Sequence, residues 1–80
     1  MTTPGTWLSY GRAQAGLSLR EVRDVVGVSH VFIRELERDE KRPSREVLGK
    51  LCRVYKLDRA TVFGMYRDAE IERARKRWAP

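Results

Sequence analysis

The sequence predicts an all-α fold, a compact bundle of five helices. Apolar residues recur at spacings of three and four along most of the chain, which is the period of an α-helix. Residues that favour helix N-caps precede the predicted helices: Thr6, Ser18, Ser29, Ser44 and Asp58. No stretch alternates as a strand does. Eighty residues, 41% of them hydrophobic and 35% charged, are enough for one small domain with an apolar core.

The helices are expected at residues 7–15, 19–26, 30–38, 45–56 and 59–78. Residues 1–5 are expected to be a flexible N-terminus, because Pro4 and Gly5 leave no room for a helical turn there. Ser18 and Glu21 have the spacing of a capping box, which places the start of the second helix. Gly27 permits the left-handed backbone of a sharp turn after that helix.

Residues 18–38 have the pattern of two short helices that share one apolar seam across a glycine turn. The seam positions on either side of the turn are Val22, Val26, Val28, Ile33 and Leu36. The second helix would expose donors, an acceptor and a bulky apolar side chain: Ser29, His30, Val31, Arg34, Glu35 and Arg38. Because that mixture suits the edge of a base pair, we interpret the pair as a helix-turn-helix whose second helix reads DNA.

The net charge of +6 is distributed unevenly along the chain. Residues 18–39 carry four basic and five acidic side chains, whereas residues 40–58 and 59–80 each carry six basic and three acidic ones. This suits a protein that holds DNA phosphates with flanking segments and reads bases with a helix of mixed charge. A basic surface that serves only solubility is the alternative.

The composition argues against several other classes of protein. Cys52 is the single cysteine, so no intrachain disulfide is expected, and no cluster of Cys and His indicates a metal site. One histidine and the lack of a glycine-rich phosphate loop argue against an enzyme, a cofactor or a small-molecule ligand. No signal peptide is evident, and no apolar run approaches the ~20 residues of a membrane span. We therefore expect a protein of the reducing cytoplasm, associated with the nucleoid.

Residues 7 to about 65 resemble the lambda-repressor/Cro-like (XRE) helix-turn-helix family. The resemblance rests on stretches in the family's order and spacing: Gly16-Leu-Ser-Leu-Arg-Glu-Val22, Gly27-Val-Ser29, Ile33-Arg-Glu-Leu-Glu-Arg38, and Arg42-Pro-Ser44 followed by Leu48-Gly-Lys-Leu51. It implies a helix-turn-helix domain at residues 6–66, a dimeric transcription regulator and a partly palindromic operator on double-stranded DNA. The interpretation we favour is a small repressor of the phage or mobile-element type.

Position by position, the resemblance implies two sets of DNA contacts. The base-reading residues would be Ser29, His30, Val31, Arg34 and Glu35. The phosphate-binding residues would be Ser18, Leu19, Arg20, Arg38, Lys41, Arg42 and Arg45. Arg34 can bond to guanine or to a phosphate, Glu35 can accept from cytosine N4, and Val31 can pack on a thymine methyl. For Lys41, Arg42 and Arg45, a solvated loop is the alternative.

Three positions depart from the family's usual residues. Leu19 stands where a glutamine commonly bonds the DNA backbone. Arg23 stands where a small alanine lets the two helices approach, so its head is expected to point outward, toward DNA or Glu37, or to open the helix angle. Phe32 is large and apolar, and we expect it to pack beside the fourth helix rather than against DNA.

Residues 67–80 are expected to form a basic helical extension, with Gly64 as a weak point before it. Tyr66, Ile71 and Trp78 are candidate dimerisation residues, since a tryptophan is rarely exposed without a role. Two other interpretations of residues 73–77 are a solvated helix end and a second phosphate contact.

Two alternatives to a sequence-specific regulator keep the same fold. One is a protein-interaction module that uses Val31, Phe32 and Trp78. The other is a DNA-bending accessory protein of the excision type. With no sensor domain among 80 residues, control is expected to come from concentration, autoregulation or a partner protein.

Overall fold

Five α-helices follow one another in the computed structural model, which describes residues 2–78. They are α1 (Pro4–Ala15), α2 (Leu19–Val26), α3 (His30–Glu37), α4 (Arg45–Tyr55) and α5 (Arg59–Trp78). No strand occurs within residues 2–78. The predicted all-α class is therefore confirmed.

Side-chain caps begin four of the helices at the predicted residues. Ser18 and Glu21 form the expected capping box, in which the Ser18 hydroxyl accepts from the Glu21 amide at 3.1 Å. Ser29 and Ser44 cap α3 and α4 in the same way, and the Asp58 carboxylate accepts from the Thr61 amide at 2.9 Å in α5. Such caps use amides that have no partner within the first turn of a helix.

The first helix starts earlier than predicted. α1 begins at Pro4 and its N-cap is Thr3, whose hydroxyl accepts from the Thr6 amide at 3.1 Å. We had expected Thr6 as the cap and Trp7 as the first helical residue. Proline suits the first helical position, where its missing amide costs nothing and its fixed φ is already helical. Helical structure thus reaches into residues 1–5, of which Met1 lies outside the described part of the chain.

The other helix ends differ little from those expected. α3 ends at Glu37 and α4 at Tyr55, each one residue earlier than predicted. Lys56 after α4 adopts the left-handed conformation with φ 56°, and Gly27 after α2 does so with φ 86°. α5 runs for 20 residues without interruption at Gly64.

One apolar core joins all five helices. It consists of Leu8, Val22, Val26, Ile33, Leu36, Leu48, Leu51, Cys52, Tyr55, Val62 and Tyr66. The predicted seam between α2 and α3 is present in this core, with Val28 half-buried at its edge. α1 packs against α3, α4 and α5, and its last residue, Ala15, is exposed. Trp7 is half-buried and stacks on Tyr10, with ring centroids 5.3 Å apart.

The second half of α5 projects from the domain. The molecule measures 45 × 23 × 22 Å along its principal axes, and every residue from Glu70 to Trp78 is exposed. Ile71 and Trp78 therefore do not belong to the core, although they continue its apolar spacing. Residues 79–80 of the predicted extension lie outside the described residues. None of the helices in residues 2–78 is long and apolar enough to cross a membrane.

Candidate DNA-binding surface

The exposed face of α3 carries the central residues of the predicted base-reading set. Val31 is 54% exposed, Arg34 and Arg38 are exposed, and Glu35 is half-buried beside them. At 100° per residue these four lie opposite the buried side of the helix. α3 therefore presents a cationic, acidic and apolar group together on one side of two helical turns.

The first turn of α3 is partly used by the fold itself. The Ser29 hydroxyl accepts from the Phe32 amide at 3.0 Å, so it serves as the helix cap. His30 is half-buried at the edge of the exposed face. Phe32 is half-buried and packs against the core, in agreement with the packing role we expected. Ser29 and Phe32 therefore both contribute to the fold, as a helix cap and by packing against the core.

A two-pronged ion pair with α1 fixes the C-terminal turn of α3. Arg12 donates to Glu37 through Nε at 2.7 Å and through Nη2 at 3.0 Å, and its Nη1 donates to the Leu17 carbonyl at 2.9 Å. Both side chains are largely covered, with 22% of Arg12 and 11% of Glu37 exposed. The hydrogen bond to Glu37 raises the pKa of Arg12. Such bidentate pairs hold geometry as well as contributing energy.

A second contact holds α1 against the end of α3. The Gly5 amide donates to Asp39 Oδ1 at 2.9 Å, and Asp39 adopts a left-handed backbone with φ 60°. A Cβ at Gly5 would lie 2.4 Å from the Leu36 carbonyl oxygen, so only glycine permits this approach. The sequence patterns did not indicate Gly5, Arg12 and Asp39 as positioning residues. No local sequence pattern indicates them, because the two residues joined by each contact are 25 or more positions apart in the chain.

Four of the predicted phosphate-binding cations are available on the surface. Arg20, Arg38, Lys41 and Arg45 are all exposed, and none of the ion pairs within residues 2–78 involves them. Arg38 ends α3, Lys41 lies in the following loop, and Arg45 begins α4. Together with Arg20 on α2 they supply positive charge beside the weakly acidic helix pair.

Arg42 has a different environment from the one expected. Its guanidinium pairs with Glu70 of α5 and lies over the Tyr66 ring, 5.7 Å from the centroid. A phosphate would have to compete with that carboxylate. Tyr66 is only 8% exposed, so this proposed dimerisation residue belongs to the core of its own domain. Burial raises the pKa of Tyr66 to about 12, and Asp39 adds to the effect.

The start of α2 also differs from the phosphate site expected there. The Ser18 amide already donates to Glu21 Oε1 at 2.9 Å, so the capping box occupies the position predicted for an anion. Leu19 is half-buried against the core, which explains why an apolar residue stands at this position. Arg23 pairs with its neighbour Asp24 at 3.0 Å rather than with Glu37.

Metal-ligating clusters and the cysteine were the two other features that the sequence raised. Within residues 2–78, no group of three or more His, Cys, Asp or Glu side chains is placed to hold a metal ion. Cys52 is buried in the core, and burial raises the pKa of its thiol.

Comparisons with known proteins agree with this geometry. Residues 11–62 match a family model described as a helix-turn-helix domain. The HTH-type transcriptional regulator PuuR of Escherichia coli (strain K12) is 38% identical over 60 residues, which cover 75% of this chain and 32% of that protein. The transcriptional regulator ClgR of Mycobacterium tuberculosis (strain CDC 1551 / Oshkosh) is 38% identical over 58 residues, which cover 72% of this chain and 52% of that protein.

The matched region therefore spans about a third of one relative and about half of the other. The family model covers most of this chain, from the middle of α1 into the first turn of α5. The predicted resemblance is confirmed: the chain belongs to the XRE-like helix-turn-helix family of DNA-binding proteins.

Proposed function

We propose that the protein is a sequence-specific transcription regulator that inserts α3 into the major groove of double-stranded DNA. It would act as a dimer on a partly palindromic operator, most simply as a small repressor of the phage or mobile-element type, bound to the nucleoid. The observation that carries the proposal is the exposed face of α3, held by Gly5 and Arg12 at its C-terminal end.

The side chains on that face suit particular bases. Arg34 has the donors to bond guanine O6 and N7 together, and Glu35 has the acceptors for cytosine N4. Val31, more than half exposed, can pack on a thymine methyl. Each good bidentate contact discriminates against the wrong base by about 1–3 kcal/mol. Sequence choice would therefore come mainly from these three residues.

Affinity would come from cations outside that face. Arg20, Arg38, Lys41 and Arg45 are exposed and have no carboxylate partner within residues 2–78. Each phosphate that such a residue neutralises makes binding weaker as salt increases, with about 0.9 added to the log–log slope per contact. Arg42 contributes less to phosphate binding in this proposal, because its guanidinium already forms an ion pair with Glu70.

The decisive experiment is an in-vitro selection of bound DNA sequences, followed by binding measurements on the selected site. Half-sites about 34 Å apart, one helical turn, would support a dimer on a palindrome. Arg34→Ala should lose about tenfold or more in affinity for the selected site and relax the preference at one base pair. Arg45→Ala should weaken binding to all sequences and reduce the salt slope by about one.

Arg53→Ala, at an exposed arginine on α4 outside this surface, is the control for loss of one positive charge. If the selection enriches no DNA sequence, and all DNA sequences are bound with the same affinity as random DNA, the sequence-specific function is contradicted. It would favour a DNA-bending accessory role if a bending assay is positive, and a protein-interaction module if DNA binding is absent. A reporter gene placed behind the selected site distinguishes repression from activation.

A further inference from the structure

The projecting part of α5, residues 67–78 (the α5 extension), carries an apolar stripe that its own domain does not cover. Ile71, Ala74 and Trp78 follow one another at spacings of three and four, so they lie on one face of the helix. Ile71 is 48% exposed and Trp78 is 81% exposed. A helix of about twelve residues is marginal in water without a packing partner. The extension therefore has the properties of an interface.

Charge along the α5 extension is separated into two halves. The first half, residues 67–72, is acidic on balance, with Asp68, Glu70 and Glu72 against Arg67. The second half is basic through Arg73, Arg75, Lys76 and Arg77. Two parallel copies would place the two acidic halves together and the two basic halves together, with Glu70 beside Arg75 as the flanking pair of opposite sign. Two antiparallel copies place the acidic half of each against the basic half of the other. Antiparallel copies therefore gain more pairs of opposite charge than parallel copies do.

A groove lies on the same side of α5, next to the stripe. It has a volume of about 540 Å³ and lies between α5 and the start of α4. Gly64 and Arg67 line it and continue the spacing of Ile71, Ala74 and Trp78 toward the domain. A Cβ built at Gly64 would meet no atom within 4 Å, so the space above this residue is open. Phe63 contributes an aromatic wall.

These observations agree on one register. If Ile71 lies opposite Ala74 of a second copy, then Trp78 lies opposite Arg67 of that copy, at the edge of its groove. The same register places Asp68 beside Arg75 on one flank of the stripe, where charged residues set partner choice and orientation in paired helices. Glu70 and Arg77 meet on the other flank, although Glu70 also pairs with Arg42 of its own chain.

We propose that two copies of this chain associate through antiparallel α5 extensions, with Trp78 of each copy seated in the groove at Gly64 and Arg67 of the other. The arginine beside that groove would contribute a cation–π contact to the indole ring. This interface would be the one that joins the two copies of the dimer in the proposed function. Only the role of the interface on DNA rests on that function.

The size of the contact predicts its strength. The overlap of about twelve residues is about 18 Å long at 1.5 Å per residue. It is smaller than the roughly 1,200–2,000 Å² of standard stable interfaces. We therefore expect a Kd on the order of 10⁻⁵–10⁻⁴ M for the free protein, which corresponds to about −6 kcal/mol.

The test is sedimentation equilibrium of the full chain without DNA, over about 10 µM to 1 mM, a range that brackets the expected Kd. The wild-type mass should rise from 9.3 kDa toward twice that value. Asp68→Arg and Arg75→Glu should each weaken association at least tenfold, because each places like charges opposite one another twice. An equimolar mixture of the two variants should restore association, since both pairs are then opposite in sign.

Glu72→Arg is the matched control, because it makes the same change in charge on the side of the helix away from the stripe. It should associate like the wild type. In a parallel pair, Asp68 would face no charge, and Asp68→Arg would leave association intact. That result would overturn the antiparallel register. A mixture that fails to associate would overturn it equally.

Two further variants test the seat of the tryptophan. Trp78→Ala should weaken association at least tenfold, with circular dichroism used to check that helix content is retained. Gly64→Leu should fill the groove that receives Trp78 of the other copy and have a similar effect, while the domain still folds because space is open there. Association of Gly64→Leu at wild-type strength would overturn the seating in the groove.

Failure of this proposal can be distinguished from failure of the proposed function. A chain that stays monomeric over the whole concentration range, yet binds a selected DNA site, overturns the interface alone. If Arg75→Glu then weakens DNA binding, the basic half of the extension contacts phosphates instead.

Discussion

Replacing Gly5 with alanine is expected to destabilise the domain by about 1.5–3.5 kcal/mol. Gly5 lies in the first turn of α1, where its amide donates to Asp39 at 2.9 Å. The added methyl group would lie 2.4 Å from the Leu36 carbonyl oxygen and 2.7 Å from that of Glu37. Both contacts are with backbone, which cannot turn aside as the end of a side chain can. α1 and the end of α3 must therefore separate.

The magnitude follows from three contributions. Forcing extra volume into a packed contact costs about 1–3 kcal/mol. Lengthening the hydrogen bond to the Asp39 carboxylate removes about 1.5 kcal/mol, because bonds to charged groups are stronger than neutral ones. Alanine returns up to about 1 kcal/mol through its higher helix propensity. A domain of this size has a total stability of roughly 4–12 kcal/mol, so the loss is readily measured.

Urea unfolding followed by circular dichroism gives the free energy of unfolding of each variant. Gly64→Ala is the control, since it makes the same chemical change in a helix where a Cβ meets nothing within 4 Å. It should stabilise the domain by about 0.5–1 kcal/mol. If Gly5→Ala loses less than about 1 kcal/mol, below the lower limit for overpacking, then the close approach of α1 to α3 is not a structural requirement.

Three further predictions concern single features of the domain. A double-mutant cycle of Arg12→Ala and Glu37→Ala should give a coupling energy of about 1–2 kcal/mol in urea unfolding, because the pair is bidentate and largely covered; coupling near zero would contradict this. Tyr66→Phe should leave stability unchanged or raise it by up to about 1 kcal/mol, since the buried hydroxyl has no hydrogen-bond partner within residues 2–78; a clear loss of stability would show that this hydroxyl is satisfied. Hydrogen bonds from Ser18 and Thr61 lower the pKa values of Glu21 and Asp58 from their ordinary values of 4.5 and 3.8. The stabilisation that these two carboxylates contribute is therefore complete above the ordinary values, and it is lost as the pH falls through the lower pKa values of the folded state. Glu21→Gln with Asp58→Asn should flatten this acid dependence of the melting temperature, and an unchanged slope would refute it.

The helix pair could be predicted from the sequence because its signals are local. The Ser18–Glu21 capping box, the left-handed Gly27 and the Ser29 cap all act within four residues, and each is present in the structure. The apolar spacing across the turn then determines which sides of α2 and α3 meet. Local chemistry thus accounts for the helices and for the exposure of Val31 and Arg34.

The remaining features depend on contacts that no local pattern reveals. Glu37 pairs with Arg12 of α1, where Arg23 had been a candidate partner. Arg42 pairs with Glu70, 28 residues away, and is thereby removed from the simple set of phosphate contacts. Pro4 was expected to prevent a helical turn. It is instead the first residue of α1, a position that proline suits only because Thr3 caps the helix before it. Ion pairs between distant elements depend on the packing of the helices and not on the spacing within them.

The contacts from α1 to α3 also determine how long the exposed face of α3 persists. α3 has eight residues, too few to hold a helix on their own in water. Its order depends on Arg12, which contacts Glu37 from 25 residues away, and on Gly5, whose amide donates to Asp39 just after the end of the helix. Hydrogen exchange of the α3 amides should therefore require opening of the whole domain and report its full stability, whereas the end of α5 in a monomer exchanges through local fraying. The surface proposed to choose the DNA sequence would then last as long as the fold itself, and a peptide of residues 18–38 would not retain it.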